Sequence, residues 1–237
     1  MMRNRLVTSI LATALAAVLL PVIFAQSAKP SKDAKSNDDG ISRDLTGVWQ
    51  YDHYQRALFP KGVTPPFTPW AEARFKAADT SVNDPNLGCL PHGIPRMMMA
   101  PLPIEIFQEP GTVLVEQESL NELRHIHLNR QHLKDPDPTY NGDSIGKWEG
   151  NTLVVDTIGF NDITWLDHVG LPHSDQLHVV ERIRRMDHDT LVDDFTIEDP
   201  KAYTKSWTAS QTYKLHPEWE IQEYTCDRNQ YVFHPQQ

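Results

Sequence analysis

The sequence predicts an all-β protein: an antiparallel meander closing into a barrel, with a Pro-rich N-terminal wrap and one short helix. Three observations carry this. Short runs rich in Val, Ile, Thr and aromatic residues are separated by tight turn signals through the second half of the chain, at Glu109-Pro110-Gly111-Thr112, Gly150-Asn151 and His188-Asp189. Almost no segment of helical period interrupts them, which argues against a parallel sheet fed by crossover helices. Ten of the 18 prolines fall between Pro60 and Pro110, which argues against long paired strands there.

The elements follow in order. Met1 to Arg5 is a short basic start, Leu6 to Leu20 an apolar run, and Pro21 breaks it ahead of small residues at Ala25 and Ala28. That order reads as a signal peptide over 1–25 and predicts a periplasmic or secreted protein. The competing reading is an uncleaved anchor, since Leu6 to Ala25 just approaches a bilayer span. A polar tail follows instead of a stop-transfer charge cluster, which favours cleavage. Ser27 to Ser42 is polar, small and charged, so 26–43 reads as a flexible linker and 44–237 as one barrel domain. Gly47–Tyr51 is the first strand. Thr68 as N-cap and Pro69 at the first helical position open a short helix through Phe75. The rest of Pro60 to Pro110 wraps the body as ordered loop. The strands Ile104–Gln108, Val113–Gln117, Leu123–Arg130, Ser144–Glu149, Thr152–Phe160, Gln176–Asp187, Thr190–Glu198, Ser206–Leu215 and Trp219–Cys226 follow, mostly joined by hairpins. A meander of this size best protects its edges by closing on itself.

Composition bounds the partners. The chain has 22 basic and 32 acidic residues, a formal charge of −10, and loss of Arg3 and Arg5 with the leader makes it more acidic still. Lacking a basic run, it is a poor candidate for nucleic acid or, after signal removal, for an anionic membrane; a small molecule is the expected partner. Cys89 and Cys226 are the only cysteines. In an exported chain such a pair reads as a disulfide. Two buried thiols and half of a metal site are the alternatives.

Two resemblances appear. Leu45-Thr46-Gly47-Val48-Trp49 resembles the opening G-x-W strand of lipocalin-like (calycin) barrels, which implies that Trp49 plugs the barrel floor. SIGKWEGNTLVVDTIGFND (Ser144–Asp162), HSDQLHVVERIRRMDHDTL (His173–Leu191) and DPKAYTKSW (Asp199–Trp207) together resemble a family of uncharacterised exported proteins common in soil bacteria. That resemblance covers Asp44 to Cys226 and implies export and a single domain. It carries no activity and no catalytic residue.

The chemistry must therefore come from the residues. Asn161 to Glu181 gathers Asp162, Asp167, His168, His173, Asp175, His178 and Glu181 around Trp165 and Pro172, where a β-barrel would place its site. A solvated acidic loop is the plainer alternative. Strand alternation puts Leu177, Val179, Glu181 and Ile183 on one face, and Leu191, Asp193, Phe195 and Ile197 repeat the pattern across the hairpin. Two inward carboxyls are costly unless they share a proton, a cation or a metal. Glu181 is thus either a carboxyl tuned for acid–base work or the partner of Arg124, Arg182, Arg184 or Arg185. His125 and His127 share the opposite face of their strand from Arg124, an H-x-H arrangement that suits either metal ligation or, for His127, pairing with Glu181. Trp165, His173, Arg124, Trp207 and Tyr213 are candidate substrate contacts. His173-Ser174-Asp175 lacks a G-x-S-x-G elbow, which discounts Ser174 as a nucleophile.

The expected function is a cofactor-free enzyme of the lyase or isomerase type. Glu181 and Asp193, with His127 or His178, would move protons on a largely apolar, aromatic or terpenoid substrate by elimination, hydration, isomerisation or cyclisation. Two alternatives stand beside it: a non-catalytic lipocalin-like ligand binder, and a metal-dependent enzyme holding a divalent ion on His125, His127 and a carboxylate.

Overall fold

The computed structural model describes residues 43–226. The signal peptide and nearly all of the linker expected from the sequence lie outside the described residues. Within them nine strands close into one barrel in chain order: β1 (Gly47–Tyr51), β2 (Ile104–Glu109), β3 (Thr112–Gln117), β4 (Glu122–Leu128), β5 (Asp143–Glu149), β6 (Thr152–Ile158), β7 (His178–Asp187), β8 (Thr190–Glu198) and β9 (Trp207–Leu215). The all-β barrel expected from the turn signals is therefore the fold. β9 returns to pair with β1, Trp49 opposite Leu215.

One pair departs from the antiparallel rule: β4 and β5 run parallel, Ile126 opposite Ser144 and Leu128 opposite Gly146. The reason is parity. Strand directions cannot alternate all the way round a closed ring of odd number, so a nine-stranded barrel needs at least one parallel seam. The link 129–142 carries the chain from the end of β4 back to its starting end, as a parallel pair requires.

Strand directions then sort the connections. The stretches 52–103, 118–121, 159–177 and 199–206 all gather at one end of the barrel, and the tight hairpins lie at the other. Trp49, fully buried, sits toward the hairpin end; its indole Nε1–H donates to Leu45 O at 2.8 Å and the Arg185 guanidinium lies 5.1 Å over its ring. Trp49 is thus a buried residue near the hairpin end of the barrel.

The wrap 52–103 contains the one α-helix among the described residues, α1 (Pro69–Ala77). Thr68 caps it as expected, accepting from Ala71 N–H at 3.4 Å, and Pro69 occupies the first turn. Trp219–Cys226 is not the expected strand but an irregular tail. Its polar groups bind the β3–β4 turn: Gln222 N–H donates to Glu118 Oε2 at 3.0 Å and Asn121 Nδ2 donates to Tyr224 O at 2.5 Å. The tail ends in the Cys89–Cys226 disulfide, which bridges 137 residues and decides between the three readings of the cysteines. No helix among the described residues is long and apolar enough to cross a membrane.

Candidate functional site

Alternation along the strands turns Val113, Val115, Ile126, Leu153, Val155, Val179, Ile183, Leu191, Phe195 and Ile197 into the barrel, all buried. Three ionisable side chains also meet in this apolar interior: Arg124 from β4, Glu181 from β7 and Asp193 from β8, none more than 1% exposed. Arg124 grips Glu181 with both terminal nitrogens, at 2.8 and 2.5 Å, and its remaining donors reach Ser144 Oγ and Thr157 Oγ1 at 3.1–3.2 Å. A bidentate guanidinium–carboxylate pair with its other donors satisfied is the arrangement that makes a buried ion pair tolerable. Asp193 is different. Its carboxyl faces that of Glu181, and burial, followed by the charge of Glu181 and a hydrogen bond to it, pushes its pKa well above the usual carboxylate range. It is held as the neutral acid.

A second cluster forms where the wrap covers the loop end. Glu122, two residues before Arg124 on β4, points inward by the same alternation. Its Oε2 accepts from the His92 backbone N–H and from His92 Nδ1, both at 2.9 Å, while Oε1 accepts from Gly93 N–H at 3.4 Å. Burial alone would raise the Glu122 carboxyl, yet the hydrogen bonds from the His92 side chain and backbone hold it below its ordinary value. An ionised carboxylate accepts only, so it fixes the imidazole proton on Nδ1 and leaves Nε2 as a lone-pair base. That Nε2 faces Ser119 Oγ at 3.4 Å. Gly93 permits the bend that aims His92: its φ is +72°, and a Cβ there would lie 2.7 Å from Thr164 Oγ1 and 2.9 Å from Tyr140 O.

Beside this dyad lies His168, its ring 6.2 Å from that of His92. Arg96 donates to His168 Nδ1 at 3.2 Å and forms a bidentate pair with Asp84 at 2.7 and 2.8 Å. Burial first, then the Arg96 charge, push His168 down to about 3, so it is a neutral ring.

The residues expected to form the site therefore divide. Glu181, Asp193, Arg124 and Tyr213 do meet inside the barrel, with the Tyr213 hydroxyl donating to Met98 O at 2.8 Å. Glu181 takes Arg124, one of the four arginines offered by the sequence, and not a histidine. His125 and His127 stack 6.2 Å apart on the outer face of β4, so the expected pairing of His127 with Glu181 does not form. The reason is the choice of face: Arg124 and Ile126 take the inward positions, so His125 and His127, which alternate with them, point out. His178 also faces outward, its Nε2 3.1 Å from Asp156 Oδ1 and its Nδ1 3.4 Å from Glu198 Oε2. Among the described residues no three His, Cys, Asp or Glu side chains gather as metal ligands. His173 is buried and satisfied, between Thr164 Oγ1 at 2.8 Å and Ser174 O at 3.0 Å. Ser174 gives its hydroxyl to Asp199 at 2.8 Å. Trp165 lies under the Arg96 guanidinium at 5.8 Å, and Trp207 packs on Phe59 at 4.3 Å. His92, Ser119, Glu122 and Arg96 escaped the sequence reading. The only signal was the alternation Glu122, Arg124, Ile126, one residue ahead of the expected strand start.

A cavity of about 420 Å³ opens in the wrap, lined by Phe59, Val63, Phe67, Phe75 and Leu171 with Asp167 among the lining. It lies outside the barrel interior. Asp167 is the chain neighbour of His168, and burial raises its carboxyl although three backbone N–H groups hold it. No protein-family model, curated protein or solved structure matches the chain.

Proposed function

We propose that the protein is an exported enzyme performing cofactor-free acid–base chemistry on a small, largely apolar molecule, with His92 as the proton acceptor and donor and Glu122 as its positioning partner. Elimination, hydration, isomerisation and cyclisation all open with such a transfer. One observation carries this reading. Among the described His–carboxylate pairs, His92–Glu122 is the most deeply buried, its side chains 6% and 4% exposed, and it leaves Nε2 facing a hydroxyl. In a site this dry a positioned base contributes about 10²–10⁴-fold to rate. Glu181, both of whose oxygens are held by Arg124, serves the barrel interior in this account. The apolar leader and the disulfide support export.

The test is turnover of a panel of small apolar esters, hydroxy acids and alkenes, read by mass spectrometry. Conversion by the wild type should fall at least about 100-fold in His92→Asn. Equal conversion by both proteins contradicts the assignment. The wrap cavity favours a second reading, a carrier for a flat apolar ligand, since its size and lining match small-molecule pockets. In that case ligand binding would be lost in Val63→Trp and untouched in His92→Asn.

A further inference from the structure

We propose that Ser119 is a nucleophile activated by His92, which gives this site a further activity: acyl transfer from small carboxylic esters. The inference rests on the assignment of His92 as the base and adds the group whose proton it takes. Ser119, His92 and Glu122 form a continuous chain, Ser119 Oγ to His92 Nε2 at 3.4 Å and His92 Nδ1 to Glu122 Oε2 at 2.9 Å. Serine, histidine and a carboxylate in this order are recognised by geometry and role, not by sequence position. The first distance is at the long end of hydrogen-bond reach.

The backbone around Ser119 points the same way. Leu120 and Asn121, the two residues after it, both sit in the left-handed region, φ +67° and +47°. Asn tolerates this; Leu does not do so without strain. Strain of that kind persists only where the surroundings over-determine it, and here they do. Asn121 N–H donates to Glu118 O at 3.2 Å, Glu118 N–H to Pro103 O at 3.1 Å, and Asn121 is bonded both ways to Tyr224 in the disulfide-anchored tail. The turn thus fixes where the Ser119 side chain leaves the chain.

At rest the Ser119 hydroxyl donates to Gln117 Oε1 at 2.5 Å, and the Gln117 amide is oriented by its own bond from Nε2 to Leu102 O at 2.8 Å. Rotation about Cβ–Oγ redirects the proton to His92. Oγ then bonds to the ester carbonyl carbon as its proton passes to Nε2. The acyl C–O bond to the leaving alcohol breaks, and that alkoxide takes the proton from Nε2. Water next attacks the acyl-serine with His92 accepting its proton and returning it to Oγ, so ester and water give acid and alcohol. The burial of Ser119, His92 and Glu122 favours uncharged esters over ionic ones.

A fluorophosphonate tests this directly, since Oγ–P bond formation with loss of fluoride needs the same nucleophile and base. The full oxidised chain should gain one phosphonyl group, mapped to Ser119 by peptide mass spectrometry. Ser174→Ala should label as the wild type does, Ser119→Ala should not label, and His92→Asn should label at least 100-fold more slowly. Ser119→Cys, which keeps the side-chain shape if Ser119→Ala misfolds, should be alkylated by iodoacetamide at a rate that falls in the His92→Asn background. An unlabelled wild type under conditions that label a known serine hydrolase overturns the nucleophile. So does label that maps elsewhere, or a rate indifferent to His92. Failure of labelling with the His92 proton still on Nδ1 would remove Ser119 alone, whereas a proton on Nε2 would remove the base as well.

Discussion

Arg124 and Glu181 show what single residues cost inside a barrel. Removing one partner leaves the other charged and unpaired in an apolar interior, which costs about 3–5 kcal/mol. Glu181→Leu should lose that much in urea unfolding, and Arg124→Met with Glu181→Leu together should lose clearly less than the sum of the single changes. An additive result would mean that the pair is not coupled. Asp193 adds a dependence on pH. Its folded pKa is raised by burial and by Glu181, so its contribution is fully present below the unfolded value of about 3.9 and is lost as pH rises through the folded one. Asp193→Asn should therefore gain on the wild type as pH climbs from about 4, by up to about 1.4 kcal/mol per unit. A gap that does not change with pH contradicts this. Glu181 and Asp193 were legible in the sequence because each breaks an apolar period-two pattern. His92 was not, because a Pro-rich loop has no period and its placement comes from tertiary bonds to Glu122. The face of β4 that turns inward was left open by the sequence, because Arg124 and the two histidines compete for it and only the Glu181 carboxylate decides in favour of the arginine.

At the scale of elements, the turn dipeptides located the hairpins to within a residue or two, since Pro-Gly and Gly-Asn leave the chain few alternatives. The parallel seam was not legible, because it follows from strand number and closure, which no local run of residues expresses. Its packing is tight. Gly146 on β5 lies where a Cβ would come within 2.8 Å of both Ile126 Cγ2 and Leu128 Cδ2 on β4. Gly146→Ala should thus cost about 1–3 kcal/mol by overpacking, measured by denaturant unfolding. A neutral or stabilising change would show that the seam yields freely. Trp219–Cys226 has the aromatic and β-branched residues of a strand without forming one. Its backbone instead serves the β3–β4 turn, and the closed ring has no free edge to offer it.

For the molecule as a whole, closure decides where function can sit. Trp49 is buried near the hairpin end, and the interior is filled by side chains and one ion pair, so the loop end is where chemistry meets solvent. There the wrap, the β3–β4 turn and the C-terminal tail converge, and the Cys89–Cys226 bridge ties the first of these to the last. Export would place that bridge in an oxidising compartment, where it persists. The account turns on the protonation of one imidazole in this assembly. Two-bond proton–nitrogen correlation spectra of the ¹⁵N-labelled protein at neutral pH, with His92 assigned through His92→Asn, read it directly. The His92 proton should lie on Nδ1, toward Glu122, with Nε2 bare; a proton on Nε2 would contradict the account.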